Sequence, residues 1–377
     1  MLKQQVRAIE QTLGKFGIGR SILKALCVGT STLSPKNALR ILSLQLSVRR
    51  EHGPMRIASD PKAAVVLCVV KDGESLVQAF IEHYLNLGFK HIFFLDNGST
   101  DGTAEIIKSY KQTTLLTSHK PFRQYFVAFK NFLIQVCGRG HWCVIADIDE
   151  FLHFPLGRGL KEVLAYLDQH GYDALCIQML DMFSKQGIHL SAQKQNRSVE
   201  ELRSTFRYYD ISNVNKRKYI RQFQPDICPE LKLLYGGIRK TVFNRNCFLT
   251  KETMFFAYPG TQLKSSHLLN YANRADFSAV YLHYKFVEDF YAKTVEAVAA
   301  ENHWNDSAEY KAYLSVLKAE SAQKAVLPLL QSCTDELGSI DNLVESGFLF
   351  VSDQFRNTFP PDHDLPDSIL DSRSVAV

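Results

Sequence analysis

CVIADIDEFLHF, residues 143–154, is an apolar run interrupted by Asp147, Asp149 and Glu150 and resumed at Phe151. Carboxylates are rarely buried unless they are paired or hold a cation, so acids set between two apolar segments need a purpose. In an extended chain Asp147 and Asp149 would point to the same side, about 6.6 Å apart along the strand. Their carboxylates would converge on one divalent cation, with Ile148 turned the other way into the core. Oxygen ligands of this kind suit Mg²⁺ or Mn²⁺, whose shell is commonly completed by a ligand's phosphates. The plain alternative is a turn carrying solvated acids, which apolar runs on both sides disfavour.

Outward from this stretch the chain alternates. AAVVLCVV (63–70), HIFFLD (91–96), TTLLT (113–117), WCVIAD (142–147) and DALCIQM (173–179) read as five short buried strands. Helical spacing over 76–89, 101–110, 124–137 and 159–171 separates them, and Gly88 stops the first helix. Strands alternating with helices of this length predict an α/β fold with a doubly wound, mostly parallel sheet. Residues 180–235 are polar and basic, the texture of an inserted loop region. GGIRKTVFN (236–244) and AVYLHYKF (279–286) read as further strands, with helical segments after them. The expected organisation is a basic N-terminal extension over 1–60, the α/β domain over 61–300, a helical C-terminal extension over 301–350 and a disordered acidic tail over 351–377.

Charge is unevenly spread. The chain of 377 residues has a net charge of +5. Residues 1–57 hold ten Lys or Arg against Glu10 and Glu51, which leaves the remainder slightly acidic. A basic helical arm of this kind suits an anionic membrane surface, with nucleic acid the less favoured partner, or else is a solvated helical extension packed beside the main domain. No stretch approaches the ~18 apolar residues of a membrane span, and the start lacks the apolar core of a signal peptide. The eight cysteines form no CxxC pair, so neither a zinc site nor a disulfide framework is signalled.

In an open α/β sheet, ligands bind beyond the carboxyl ends of the strands. LDNGSTDGT (95–103) and ADIDEF (146–151) both fall there. Asn-Gly and Asp-Gly form turns without any function, but a turn does not require Asp96 at the end of an apolar strand. From that position Asp96 could accept hydrogen bonds from a base or a sugar hydroxyl. A calcium loop beginning at Asn97 fails because its twelfth position is Lys108 where a Glu is required. Phe151, four residues after Asp147, argues against a haloacid-dehalogenase phosphatase, which wants Thr or Val there and its motif on the first strand. VVKDGESL (69–76) lacks the Gly-rich, Arg-bearing loop of a sugar nucleotidyltransferase, and no GxGxxG, Walker or GxSxG motif occurs.

Taken together, VVKDGESLVQAFIEHYLNLGFKHIFFLDNGSTDGT, Gln124, HWCVIADIDEFL, GGIRKTVF and YLHYKF resemble the nucleotide-sugar-dependent glycosyltransferases of GT-A fold. The closest likeness is the family 2 subgroup with a DxDEF motif, related in pattern to family 92, and it covers about residues 62–300. The resemblance implies that Asp96 contacts the donor's base within a loop that includes Asn97, Ser99 and Asp101. It places Asp147 near the ribose or the metal, makes Asp149 the direct ligand of Mn²⁺ or Mg²⁺, and sets Glu150 behind the metal or facing the acceptor. A late histidine on the metal is also implied; His283 fits best and His267 comes next. Gly236 and Gly237 would let backbone approach a sugar or diphosphate, and Arg239, Lys240 or Lys293 would neutralise the departing diphosphate. Family 2 enzymes invert the anomeric centre, which calls for a carboxylate base. Asp181 and Glu230 are the candidates, and Asp181 is the better placed. No Glu-Asp pair followed by the Gln-x-x-Arg-Trp motif of processive polymerases occurs. Asp72-Gly73-Glu74 stands where relatives often have Asn-Glu, one residue longer in the donor-side loop.

The expectation is therefore a metal-dependent glycosyltransferase that moves a sugar from a nucleotide-sugar donor, UDP-linked, to a saccharide or lipid-linked acceptor. A catalytically silent nucleotide-sugar binding module and a membrane-surface adaptor are the alternatives. Asn97-Gly98-Ser99 is a glycosylation sequon inside the donor loop, where a glycan would block the site. That argues for a cytoplasmic protein of polysaccharide biosynthesis, with the basic arm resting on the inner membrane face.

Overall fold

The computed structural model describes residues 43–58, 60, 62–190, 195–218, 228–300, 307–321 and 325–358. Most of the basic arm (1–42) and most of the acidic tail (359–377) lie outside the described residues. The first half of the chain runs β1 (Arg49–His52), β2 (Ala64–Val70), α1 (Glu74–Leu87), β3 (His91–Asp96), α2 (Thr103–Lys108), β4 (Thr113–Thr117), α3 (Phe122–Leu133), β5 (Trp142–Ile145), β6 (Glu150–His153), α4 (Leu160–Gln169) and β7 (Ala174–Asp181). The second half adds β8 (Ile188–His189), α5 (Val199–Thr205), β9 (Tyr208–Tyr209), β10 (Val214–Lys218), β11 (Lys232–Gly236), α6 (Ile238–Phe243), β12 (Thr250–Phe256), β13 (Arg274–His283), α7 (Phe290–Ala300) and α8 (Ala308–Ser321).

Strand β2 shows why the fold is layered. Ala64, Val66, Cys68 and Val70 pack with the α1 side chains Phe80 and Tyr84, whereas Val65 and Leu67 pack with Phe129 and Leu133 of α3. Successive residues of a strand point to opposite faces, so an unbroken apolar run belongs between two helical layers. Nine strands form the main sheet in the order β1-β4-β3-β2-β5-β12-β7-β13-β6. Strands β2 to β5 are parallel, and β13 is parallel to β7. The antiparallel members are β12, inserted between β5 and β7, and the two edges β1 and β6. This is a mixed α/β architecture with a mostly parallel, Rossmann-like sheet.

The structure corrects several expectations. The DxD stretch does not extend the strand: β5 stops at Ile145, and residues 147–150 turn back on themselves, with the Glu150 N–H donating to the Asp147 carbonyl at 2.9 Å. Asp147 and Asp149 therefore do not sit on one extended face. The chain then enters β6, which pairs with β13 at the far edge of the sheet. Four strand spacings amount to about 19 Å, while the five steps from Ile145 to Glu150 reach only about 17 Å. The sheet must curl to close that gap, and the Tyr281 hydroxyl of β13 does reach the Ile145 carbonyl of β5, at 3.0 Å.

GGIRKTVFN is a helix, not a strand. Gly236 and Gly237 carry φ of 101° and 66°, which ends β11 and starts α6. Strand β12 escaped notice because LTKETMFF buries Lys251 and Glu252, residues that hydropathy assigns to the surface. The segment 180–235, read as loop, contributes α5 and strands β8 to β11 among its described residues. Residues 49–52, counted within the N-terminal extension, form the edge strand β1 on β4.

Candidate active site

Five strands deliver side chains to one edge of the sheet. Asp96 ends β3, Asp181 ends β7, and His283 ends β13. Asp147 and Asp149 follow β5, and Lys251 lies near the start of antiparallel β12. The register explains the meeting, because His283 stands opposite both Asp181 on β7 and Glu150 on β6.

His283 is the hub. Its Nε2 faces Asp149 Oδ2 at 3.2 Å and its Nδ1 faces Asp181 Oδ1 at 2.5 Å. Burial alone would lower the His283 pKa, but the two carboxylates outweigh it and raise it to about 9. Burial likewise opposes ionisation of Asp149 and Asp181. The His283 imidazole overrides it at Asp149, and Arg239 followed by His283 overrides it at Asp181, so both carboxyls sit below their usual range. Arg239 donates from Nε to Asp181 Oδ2 at 2.8 Å and from a terminal nitrogen to Glu309 at 3.4 Å. Asp181 is thus enclosed by a histidine and an arginine, which suits holding His283 better than taking a proton from an acceptor.

Asp147 has separate company. Lys130 Nζ lies 2.7 Å from Oδ1, and Lys251 Nζ lies 3.1 Å from Oδ2. Glu150 is buried, pairs with Lys251, and accepts from the Asp147 N–H at 3.1 Å. From that buried position it braces the turn. Ile148 packs toward the loop after β2: a Cβ on Gly73 would stand 3.1 Å from Ile148 Cγ1. Gly73 therefore gives the DxD turn room to pack where it meets that loop.

The loop after β3 is held by its own polar groups. Ser99 donates to Asp96 Oδ1 from both its N–H and its hydroxyl, each at 2.8 Å. The Asn97 amide donates to the carbonyls of Ser118 and Lys120, which ties the loop to the exit of β4. Asp101 accepts from Thr103 and from the Glu74 N–H, and Asp72 accepts from the Thr100 N–H at 2.7 Å. Asp72 adopts φ 49° and ties the loop after β2 to the loop after β3.

Other expected residues stand elsewhere. A Cβ on Gly236 would lie 2.3 Å from the Asn213 carbonyl oxygen, so the close approach there is to the chain's own backbone. His267 bonds the Thr250 carbonyl at 3.1 Å, stacks on Phe248, and has its pKa pushed down to about 3 by burial, then Lys251. It is not the histidine that meets Asp149. Glu230 is exposed and bonded by Cys228, Lys240 pairs with Asn244, and Lys293 with Asp289. Sequence reasoning missed Lys130, Lys251 and Lys285, the last with its Nζ 3.9 Å from the same Glu309 that Arg239 meets. The only signal was a lysine inside an apolar stripe, as at Lys130 between Phe129 and Phe132.

The donor set can be tested against a divalent cation. An aspartate oxygen beside an imidazole nitrogen, with a carboxylate on the other ring nitrogen, recurs where histidine binds metals. Among the described residues no group of three or more His, Cys, Asp or Glu is arranged to hold one. Asp149 and His283 could therefore supply part of a shell, with phosphate and water oxygens providing the rest.

A curled, mostly parallel sheet with acidic residues gathered at its carboxyl edge is consistent with the Rossmann-like fold of glycosyltransferases. The family model for glycosyltransferase family 92 matches residues 65–312, and the chain belongs to that family. It is also 32% identical over 111 residues to the lipopolysaccharide core biosynthesis glycosyltransferase LpsC of Rhizobium meliloti (strain 1021). That match covers 29% of this chain and 39% of the relative, so the chain spans well under half of it. Glycosyl transfer is the activity that these likenesses support. Among the described residues no helix is long and apolar enough to cross a membrane.

Proposed function

We propose that this chain transfers a sugar from a nucleotide-sugar donor to a saccharide or lipid-linked acceptor, with Mn²⁺ or Mg²⁺ held by Asp149 and His283. The observation that carries the reading is the line Asp149–His283–Asp181 at the carboxyl edge of the sheet. A cation bound there would act as a Lewis acid on the leaving nucleoside diphosphate. Asp181 keeps the His283 ring oriented and its Nδ1 protonated, and a cation at Nε2 would replace the proton which that nitrogen shares with Asp149. Asp96, with both Ser99 bonds on Oδ1, offers its carboxylate to the donor's base. Arg239 and Lys285 add positive charge beside the site, and such charge stabilises a developing diphosphate. The name of the LpsC relative favours an acceptor in cell-surface polysaccharide or lipopolysaccharide, and a cytoplasmic site of action goes with that reading.

Calorimetric titration with UDP, with and without Mn²⁺, tests it on wild-type protein and on Asp149→Ala. Metal-dependent binding that the substitution abolishes supports the reading, and sugar release from a panel of UDP-sugars separates an enzyme from a silent binding module. Failure of every nucleotide to bind with Mn²⁺ would refute it.

A further inference from the structure

The hairpin of β10 and β11 has two unlike faces. Opposite partners share a face in an antiparallel pair, so Val214 and Lys216 stand with Gly236 and Leu234, while Asn215 and Arg217 stand with Tyr235 and Leu233. The first face turns inward. Leu234 is buried, Val214 packs on the core, and Lys216 bonds the Gly347 carbonyl at 2.6 Å. The second face is open, with Asn215 and Arg217 exposed and Leu233 and Tyr235 half-buried. A further antiparallel bridge, from Tyr235 to Phe248, widens it by a third segment of chain.

A ladder of planar groups crosses this open face. The Arg217 guanidinium carbon lies 4.9 Å from the Tyr235 ring centre, Tyr235 stacks on Phe248 at 4.8 Å, and Phe248 stacks on His267 at 5.2 Å. His267 bonds the carbonyl of Thr250, and the next residue, Lys251, meets Asp147. The ladder thus leads outward from the turn after β5 to an exposed guanidinium.

Charge on the hairpin has one sign. Strands β10 and β11 hold Lys216, Arg217, Lys218 and Lys232 and no acidic residue. An arginine fork binds a phosphate or carboxylate through two parallel hydrogen bonds, and a ring against it keeps the fork aimed. With the Asn215 amide beside it, the face suits a ligand that carries hydroxyls and negative charge together. A lipid surface would need apolar anchors. Among the described residues the exposed large apolar side chains are Leu46, Tyr271, Val295 and Leu330, and none is on this face.

We infer that this face is the acceptor subsite and takes an anionic saccharide, one bearing phosphate or carboxylate groups, with Arg217 binding the anion and Tyr235 positioning Arg217. The inference rests on the glycosyl-transfer reading above and names the chemical class of its acceptor.

Calorimetric titration of the full chain tests it with hexagalacturonate, phosphorylated mannopentaose and neutral maltohexaose, each variant being checked for folding by thermal unfolding. The wild type should bind an anionic probe at least about 10-fold more tightly than maltohexaose, and added salt should weaken that binding. Arg217→Gln should weaken it about 10- to 100-fold, the range of a charge-assisted hydrogen bond. Tyr235→Leu should weaken it about 2- to 5-fold, as loss of a cation–π contact does, and Tyr235→Phe should keep it. Lys90→Gln removes an exposed charge beside the amino end of β3 and should change nothing. Binding of UDP with Mn²⁺ should be the same in every variant.

A wild type that prefers neither anionic probe, or equal losses in Lys90→Gln and Arg217→Gln, overturns the inference. So does an Arg217-dependent preference for anionic phospholipid vesicles or single-stranded DNA over both saccharides. If UDP still binds with Mn²⁺, such a result strikes the acceptor subsite alone; if no nucleotide binds, the glycosyl-transfer reading falls with it. Should Tyr235→Leu not fold, Arg217→Gln decides.

Discussion

The imidazole Nε2 of His283 stands 3.2 Å from Asp149 Oδ2, although one residue ends β13 and the other closes the turn after β5. The approach depends on Asp181, which holds the opposite ring nitrogen. Replacing Asp181 with Asn keeps the side chain's shape but removes the charge that orients the ring. The expected outcome is a fall in Mn²⁺ affinity of about 10- to 100-fold with the fold retained, since outer partners of a metal-binding histidine carry that much. Calorimetry beside circular dichroism reads both. Unchanged Mn²⁺ affinity in Asp181→Asn would remove the histidine from the cation's shell.

Lys251 carries stability as well as position. Its ammonium group pairs with buried Glu150 and with Asp147, so Lys251→Met strands a carboxylate away from water. Breaking a buried ion pair from one side costs about 3–5 kcal/mol. Urea unfolding of Lys251→Met should show a loss of that order. A double variant, Lys251→Met with Glu150→Gln, should recover part of it. No recovery would mean that the lysine acts through packing.

Glycine is required at 236 for two separable reasons. Its φ of 101° lies where other residues are strained, and a Cβ would also meet the Asn213 carbonyl. Gly157, at φ 61°, has the first problem without the second, because nothing lies within 4 Å of its Cβ direction. Gly157→Ala should cost about 1 kcal/mol from backbone strain alone. Gly236→Ala should cost more, with the β10–β11 pairing weakened. Equal costs in chemical denaturation would show that the Asn213 contact relaxes freely.

Acid should destabilise the protein through a buried histidine pair. His83 donates from Nε2 to the Leu152 carbonyl at 2.9 Å, its ring lies tilted 5.0 Å from that of His153, and Arg203 is nearby. Burial, then Arg203, lowers the His83 pKa to about 3. Burial, then His83, lowers that of His153 well below its ordinary value. A folded-state pKa below the unfolded value of about 6.5 means that the unfolded chain takes up the proton first. The stabilising effect is complete above about 6.5 and is lost as pH falls toward 3, by at most about 1.4 kcal/mol per pH unit for His83. Unfolding free energy measured from pH 7 to pH 4 should therefore decline, and His83→Gln should flatten the decline. An unaltered slope in His83→Gln would assign acid sensitivity to other groups.

Strands β3 and β4 stand on the residues that hydrophobic runs mark out, and β2, β5 and β7 differ from the reading by no more than two residues at an end. Each of these strands is buried on both faces, so its signal is complete within the strand. The same reading lost β12, because a strand holding Lys251 and Glu252 looks like surface until their partners Asp147, Glu150 and Arg274 are brought to it. It lost α6 because six residues, IRKTVF, with only three apolar ones are too few to separate strand from helix by period, and the two positive-φ glycines decide only once the chain is built.

Local periodicity and the acids of the DxD stretch were enough to predict a parallel α/β sheet and to mark Asp96, Asp147 and Asp149 as a site at its carboxyl edge. Those features depend on neighbours a few residues apart, which the chain carries wherever it goes. Which partner each acid takes is a long-range matter. The curl of the sheet returns β6 and β13 over β5, and this places His283 on Asp149 while Lys130 and Lys251 gather under Asp147. Contacts between residues far apart in the chain arise only when burial of the whole core pays for closing the loops between them, so no single segment could have shown them.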